Sequence, residues 1–205
     1  MTGLASLATR YQTRVTTLLE CLRRVEVAHD AHELHLVDVY LLYESTFLTA
    51  VALFEALLED VLVEAACGSR GSHVGSYAIA TARSRDKFRT MIYHGRPYID
   101  LMPFDHAVDI ARLYLNEARP FGQIPPPDRQ YLAEIVWTRN AVAHRSDSAS
   151  RVFRQKVPGV TALAKAQQRP GPFLRTVYRV NPRQTRNELY LATMARITQD
   201  LAGLW

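Results

Sequence analysis

The segment Trp137-Thr138-Arg139-Asn140-Ala141-Val142-Ala143-His144-Arg145 brings an arginine, a side-chain amide and a histidine within six residues. Those three residue types suffice to cleave RNA without a metal. Arginine offers a phosphate a planar, permanently charged fork, and histidine moves protons near neutral pH. RNA carries its own nucleophile in the 2′-hydroxyl. The protein therefore has to add only a proton transfer and positive charge for the dianionic phosphorane. Arg139 and His144 are the candidate catalytic residues. On an ideal helix they point about 140° apart, whereas Asn140 and His144 point about 40° apart. Asn140 is thus expected to hydrogen-bond and orient His144 one turn on. Arg139 has to reach around with its long stem, act across a dimer, or sit where the helix loosens. The competing reading is ordinary: the spacing recurs by chance, and a histidine at a helix C-terminus often serves only the helix dipole.

Other chemistry-bearing residues favour ordinary roles. His29, His32 and His35 are spaced for a metal, but no cysteine joins them, and no metal site or cofactor is expected. Ser146 and Asp147 lie just beyond His144, and residues so close in sequence rarely form a working triad. Glu44 and Glu55 could approach the cleft, or could equally form buried ion pairs. Cys21 and Cys67 are far apart and read as buried free thiols in a reducing cytoplasm.

The elements that position the segment are helical. Leu4, Leu7, Tyr11, Val15, Leu18, Leu22 and Val25 recur at spacings of three and four, predicting a helix over 4–28. After a turn at Asp30-Ala31-His32, a continuous apolar stripe from Leu36 to Leu62 predicts a second helix over 33–66, stopped at Cys67-Gly68. Residues 68–82 read as a loop. A short basic helix over 84–94 follows, with Arg83, Arg85, Lys87 and Arg89. Next comes a helix over 105–117 with Val108, Ile110, Leu113, Tyr114 and Leu115 inward. Pro125-Pro126-Pro127-Asp128 introduces the motif helix near 128–145, with Asp128 as N-cap and Tyr131, Leu132, Ile135, Val136 and Val142 buried. Beyond it lie a brief helix over 149–156, a loop from Gly159 to Pro172, a weak strand over 173–180, and a last helix opened by Asn181-Pro182. The expected fold is all-α, a bundle with two long antiparallel helices and a short β segment near its C-terminus.

The 205 residues, 48% hydrophobic and 22% charged, fit one sizeable core. No apolar run reaches the length of a membrane span, and Met1-Thr2-Gly3-Leu4 does not begin a signal peptide. The net charge of +5 is unevenly distributed. Residues 1–138 carry 13 Lys and Arg against 17 Asp and Glu, a net of −4; residues 139–205 carry 12 against 3, a net of +9. A cationic stretch beginning at the candidate site suits a polyanion, and Arg145, Arg151, Arg154 and Arg175 are expected to bind RNA.

The fragment Arg139-Asn140-Ala141-Val142-Ala143-His144-Arg145 closely resembles the RNxxAHR form of the HEPN ribonuclease motif. The helix running from Tyr43 to Asp60 looks like the family's long second helix. The resemblance covers about residues 1–145. It implies a HEPN-like domain over 1–148 and a basic extension over 149–205 packed on the same domain. By that resemblance Arg139 and His144 are catalytic and Asn140 is the polar residue of the motif. The activity implied is metal-independent endoribonuclease cleavage to a 2′,3′-cyclic phosphate, by a homodimer in which two motifs face one cleft. The cellular role implied is a cytoplasmic toxin or defence effector with an antitoxin or operon-encoded partner. One departure is Ser146, where many family toxins carry a tyrosine that is modified. Control by tyrosine AMPylation at that place is therefore not expected. The alternatives are a non-catalytic HEPN-like module that binds nucleotide or RNA or docks a partner, and a helical DNA- or membrane-associated regulator acting through its basic tail.

Overall fold

A computed structural model describes residues 3–67, 78 and 84–203. Among these the chain is mostly helical. Its eight α-helices are α1 (Leu4–Asp30), α2 (Leu36–Cys67), α3 (Arg85–Tyr93), α4 (Phe104–Tyr114), α5 (Pro126–His144), α6 (Asp147–Lys156), α7 (Pro170–Arg175) and α8 (Arg186–Gly203). One antiparallel pair of short strands, β1 (Val177–Arg179) and β2 (Gln184–Thr185), and three single-turn 3-10 helices accompany them. The fold is all-α, and no described helix is long and apolar enough to cross a membrane. The loop expected over 68–82, Ala78 excepted, and Arg83 of the basic cluster lie outside the described residues.

The chain divides into two compact units. The first comprises residues 1–11, 53–129 and 196–205; the second comprises 12–52 and 130–195. In the first unit Tyr11 packs on Phe54, and Phe104 on Phe121, with ring centroids 5.8 and 6.2 Å apart. The basic face of α3 is held against the acidic end of α2. Arg89 bonds Glu59 at 2.9 Å and Asp60 at 2.8 Å, Tyr93 donates to Glu59, and Arg85 pairs with Glu64. Asp128 is not an N-cap: α5 begins at Pro126, and the buried Asp128 carboxylate, in the first turn, accepts two bonds of 2.6 Å from Arg196. Leu113, expected inward, is 68% exposed. It shares α4 with Ile110 along a cavity of about 540 Å³.

The second unit holds the motif. Its core is a chain of aromatic contacts: Phe47 on Tyr190, Tyr190 on Phe173, and Phe173 edge-on to Phe153. The turn after α1 forms at His32, whose φ of 60° is left-handed, with Glu33 N–H donating to the Ala28 carbonyl. His29 Nδ1 meets the Leu34 carbonyl at 3.0 Å in the same turn. Of the expected strand over 173–180, Phe173–Arg175 is the end of α7 and Val177–Arg179 is extended. Phe173 and Leu174 are neighbours and both buried, which an alternating strand cannot achieve and a helical turn can. The last helix starts at Arg186, not at Asn181-Pro182, because Thr185 and Glu188 form a reciprocal capping box. Glu188 N–H donates to Thr185 Oγ1 at 3.2 Å, and Thr185 N–H to Glu188 Oε2 at 2.6 Å. Cys21 and Cys67 are free thiols but half-buried, not fully buried, and burial raises the Cys67 thiol above its usual range.

Candidate functional site

The motif occupies the C-terminal end of α5. One face of that helix is anchored: Leu132, Ile135 and Thr138 are fully buried. Glu134, also buried, accepts a 3.1 Å bond from Tyr190 Oη, and burial raises its carboxyl above the usual range. Tyr131, expected in the core, is only half-buried. Its hydroxyl meets Tyr178 Oη at 3.2 Å.

The helix ends in a sharp corner. Arg145 adopts a left-handed backbone with φ of 47°, uncommon for a residue other than glycine and typical of a helix terminus. Ser146 then caps α6, its Oγ accepting from Ala149 N–H at 3.2 Å. This is the physical role of the Ser146-Asp147 pair: a cap and a first-turn acid that start a new helix.

Arg139 and Asn140 are half-buried and joined, Arg139 Nη1 donating to Asn140 Oδ1 at 3.0 Å. The expected bond from Asn140 to His144 is therefore replaced by one to Arg139. Adjacent side chains on the helix settle together because the long arginine folds back over its neighbour. His144 stands exposed one turn later, with no side-chain hydrogen bond among the described residues. The structure thus couples the amide to the arginine and leaves the histidine in solvent at the corner.

The four arginines expected to bind RNA fall into three classes. Arg151 and Arg154 project from α6, exposed, with no carboxylate partner among the described residues. Arg145 is 70% exposed and loosely held by Glu44 at 3.4 Å, an interaction worth little against solvent. Arg175 is committed. It grips Glu26 with two bonds of 2.9 and 2.8 Å, and Tyr43 Oη donates to the same carboxylate at 2.7 Å. The Arg175 bond, reinforced by Tyr43 against the cost of burial, holds the Glu26 carboxyl below its usual range. Arg175 is therefore a structural cation.

Of the two acidic candidates, Glu44 lies beside the motif, where Gly171 N–H donates to its Oε1 at 3.0 Å. Among the described residues no group of three His, Cys, Asp or Glu is arranged to hold a metal ion.

Folding also redistributes charge. The first unit contains 11 Lys and Arg and 11 Asp and Glu, a net of zero. The second contains 14 against 9, so it carries the entire +5. Sequence reasoning missed the cavity beside the motif, about 440 Å³ and lined by Tyr40, Glu44, Arg145, Arg154 and Arg169 among others. The one legible signal for it was Arg169-Pro170-Gly171-Pro172. A glycine between prolines marks a close backbone approach, here of Gly171 to Tyr40 and Glu44.

No family model, curated protein or solved structure matches the chain.

Proposed function

We propose that this protein is a metal-independent endoribonuclease of HEPN type, acting as a dimer in which two motifs face one cleft. The observation that carries the reading is the end of α5. There His144 and Arg145 stand exposed at a helix corner, and the half-buried, hydrogen-bonded pair Arg139 and Asn140 lies on the last turns of the same helix, in the unit that holds all the net positive charge. In the reaction the 2′-oxygen bonds to its neighbouring phosphorus and the bond to the 5′-oxygen breaks. The proton leaves the 2′-hydroxyl and one is delivered to the departing 5′-oxygen, leaving a 2′,3′-cyclic phosphate. His144 transfers a proton, and Arg139, aligned by Asn140, neutralises the phosphorane. Arg145, Arg151 and Arg154 hold the flanking phosphates. A toxin or defence role, silenced by a partner protein in the cytoplasm, accords with such an activity. The test is to incubate the protein with total RNA in excess EDTA. Fragments ending in cyclic phosphate support the reading, and intact RNA contradicts it.

A second reading is supported by one specific contact. Asn140 is spent on Arg139, so His144 lacks the side chain that was expected to orient it. A non-catalytic module that binds RNA or nucleotide needs no such orientation. Binding without cleavage in the same experiment selects this reading.

A further inference from the structure

Every residue from Val177 to Arg183, in the hairpin between α7 and α8, is exposed. Of the eleven large hydrophobic side chains that the described residues leave in water, three fall within four consecutive positions here. They are Val177 at 47%, Tyr178 at 42% and Val180 at 83%. Single exposed apolar residues need no explanation, but a cluster of them marks an interaction site. The backbone that carries them is extended. Among the described residues β1 pairs with β2 and with no other strand. Its outer edge therefore presents unpaired N–H and C=O groups, a template for one more strand.

Charge decides what kind of strand fits. Between Asp147 and Glu188 the chain has nine Lys and Arg and no Asp or Glu. Two of these cations, Arg179 and Arg183, belong to the hairpin. Both are exposed, and neither forms an ion pair among the described residues. A second copy paired on the same edge would set arginine against arginine, which disfavours self-pairing; an acidic strand meets no such opposition. RNA would answer the charge but would gain little from Val177 and Val180. One face of the Tyr178 ring, on which a base would stack, is already taken by the Arg186 guanidinium, 4.5 Å from the ring centroid. That contact and the 3.2 Å approach of the Tyr178 and Tyr131 hydroxyls hold β1 in place before any partner arrives.

We propose that the outer edge of β1 docks an acidic, extended segment of another protein as an added strand. Main-chain bonds to Val177–Arg179 supply affinity, Val177 and Val180 receive the segment's apolar side chains, and Arg179 and Arg183 receive its carboxylates. The surface rests on no assumption about cleavage. It lies within the second unit, and Arg139, Asn140 and His144 take no part in it.

The test is fluorescence anisotropy of a short labelled peptide of alternating Glu and Val, titrated with the full chain. Because backbone bonds carry strand addition, this generic probe should bind, and its Lys and Val counterpart should bind at least about tenfold more weakly. Methylating alternate backbone nitrogens of the peptide keeps its charge but removes the donors that face the edge, and should cost about tenfold or more. The Arg179→Gln/Arg183→Gln double variant should lose roughly five- to tenfold with an unchanged circular dichroism spectrum. Val180→Gln, at a position too exposed to disturb folding, should lose roughly three- to tenfold. A labelled RNA strand is titrated alongside. The proposal is overturned by a Glu and Val peptide that binds no better than its Lys counterpart. It is equally overturned by affinity that survives backbone methylation, or by a folded double variant that binds the peptide as wild type does. RNA binding lost from the double variant together with any of these results makes the hairpin a nucleic-acid surface instead.

Discussion

Replacing Arg175 by methionine distinguishes a structural arginine from an RNA-binding one. Arg175 and Glu26 are 26% and 25% exposed, joined by two charge-assisted bonds, and Tyr43 is the only other donor to that carboxylate among the described residues. The methionine keeps most of the apolar stem but leaves Glu26 partly buried without its countercharge. Each charged hydrogen bond is worth about 1.5–3 kcal/mol when well buried. With a quarter of each side chain in solvent, the expected loss for the pair is roughly 2–3 kcal/mol. For a chain of this size that lowers Tm by roughly 4–12 °C. A double-mutant cycle with Glu26→Gln should show a coupling of about 1–2 kcal/mol.

The pH dependence has a definite sign. The folded state depresses the Glu26 carboxyl below its ordinary 4.5. The stabilisation is therefore fully present above that value and lost as pH falls through the lower, folded value. Urea unfolding followed by circular dichroism at pH 7, 5, 4 and 3 should show the gap between wild type and Arg175→Met closing only below the ordinary value. Arg151→Gln, by contrast, should leave stability within about 0.5 kcal/mol of wild type. If Arg175→Met is as stable as wild type at pH 7, or if its gap does not close in acid, the assignment of Arg175 as a structural cation is wrong.

Gly171→Ala should destabilise by about 1–3 kcal/mol, because the added Cβ meets backbone and side-chain atoms of α2 that cannot all recede; an unchanged melting temperature would show that the segment entering α7 yields easily. Ser146→Ala should cost about 1 kcal/mol through loss of the α6 cap while leaving RNA cleavage intact, and loss of cleavage in a folded variant would instead make its hydroxyl part of the chemistry. Light scattering at working concentration should give twice the 23.2 kDa chain mass, since two motifs are proposed to share a cleft; a strict monomer would remove that arrangement.

What the sequence disclosed followed from local physics. Leu4, Leu7, Tyr11 and Val15 at helical spacing are all buried on one face of α1, and α2 is built the same way. The corner after His144 was marked by the polar run Ser146-Asp147-Ser148. Local signals also compete. Phe173-Leu174 opens an alternating run, yet two adjacent apolar residues suit a helical turn better, and the Thr185-x-x-Glu188 capping box, not Asn181-Pro182, starts the last helix. Tertiary choices were not legible. Glu26 and Arg175 are 149 positions apart, and nothing near either names the other. The same holds for Gly171 and Tyr40, which meet because a glycine lets the chain approach α2. At the motif, helix geometry made Asn140 available to His144, but the side chain of the adjacent Arg139 reached it first.

The central claim, that the corner after α5 cuts RNA, is tested most directly by comparing wild type with His144→Ala and Arg139→Lys on RNA in EDTA, with circular dichroism to establish folding. Wild type should cleave and leave 2′,3′-cyclic phosphate ends. His144→Ala should be inactive, and Arg139→Lys should lose most activity because a point charge does not replace the fork that Asn140 aligns. A folded His144→Ala protein that cleaves RNA as wild type does would contradict the account.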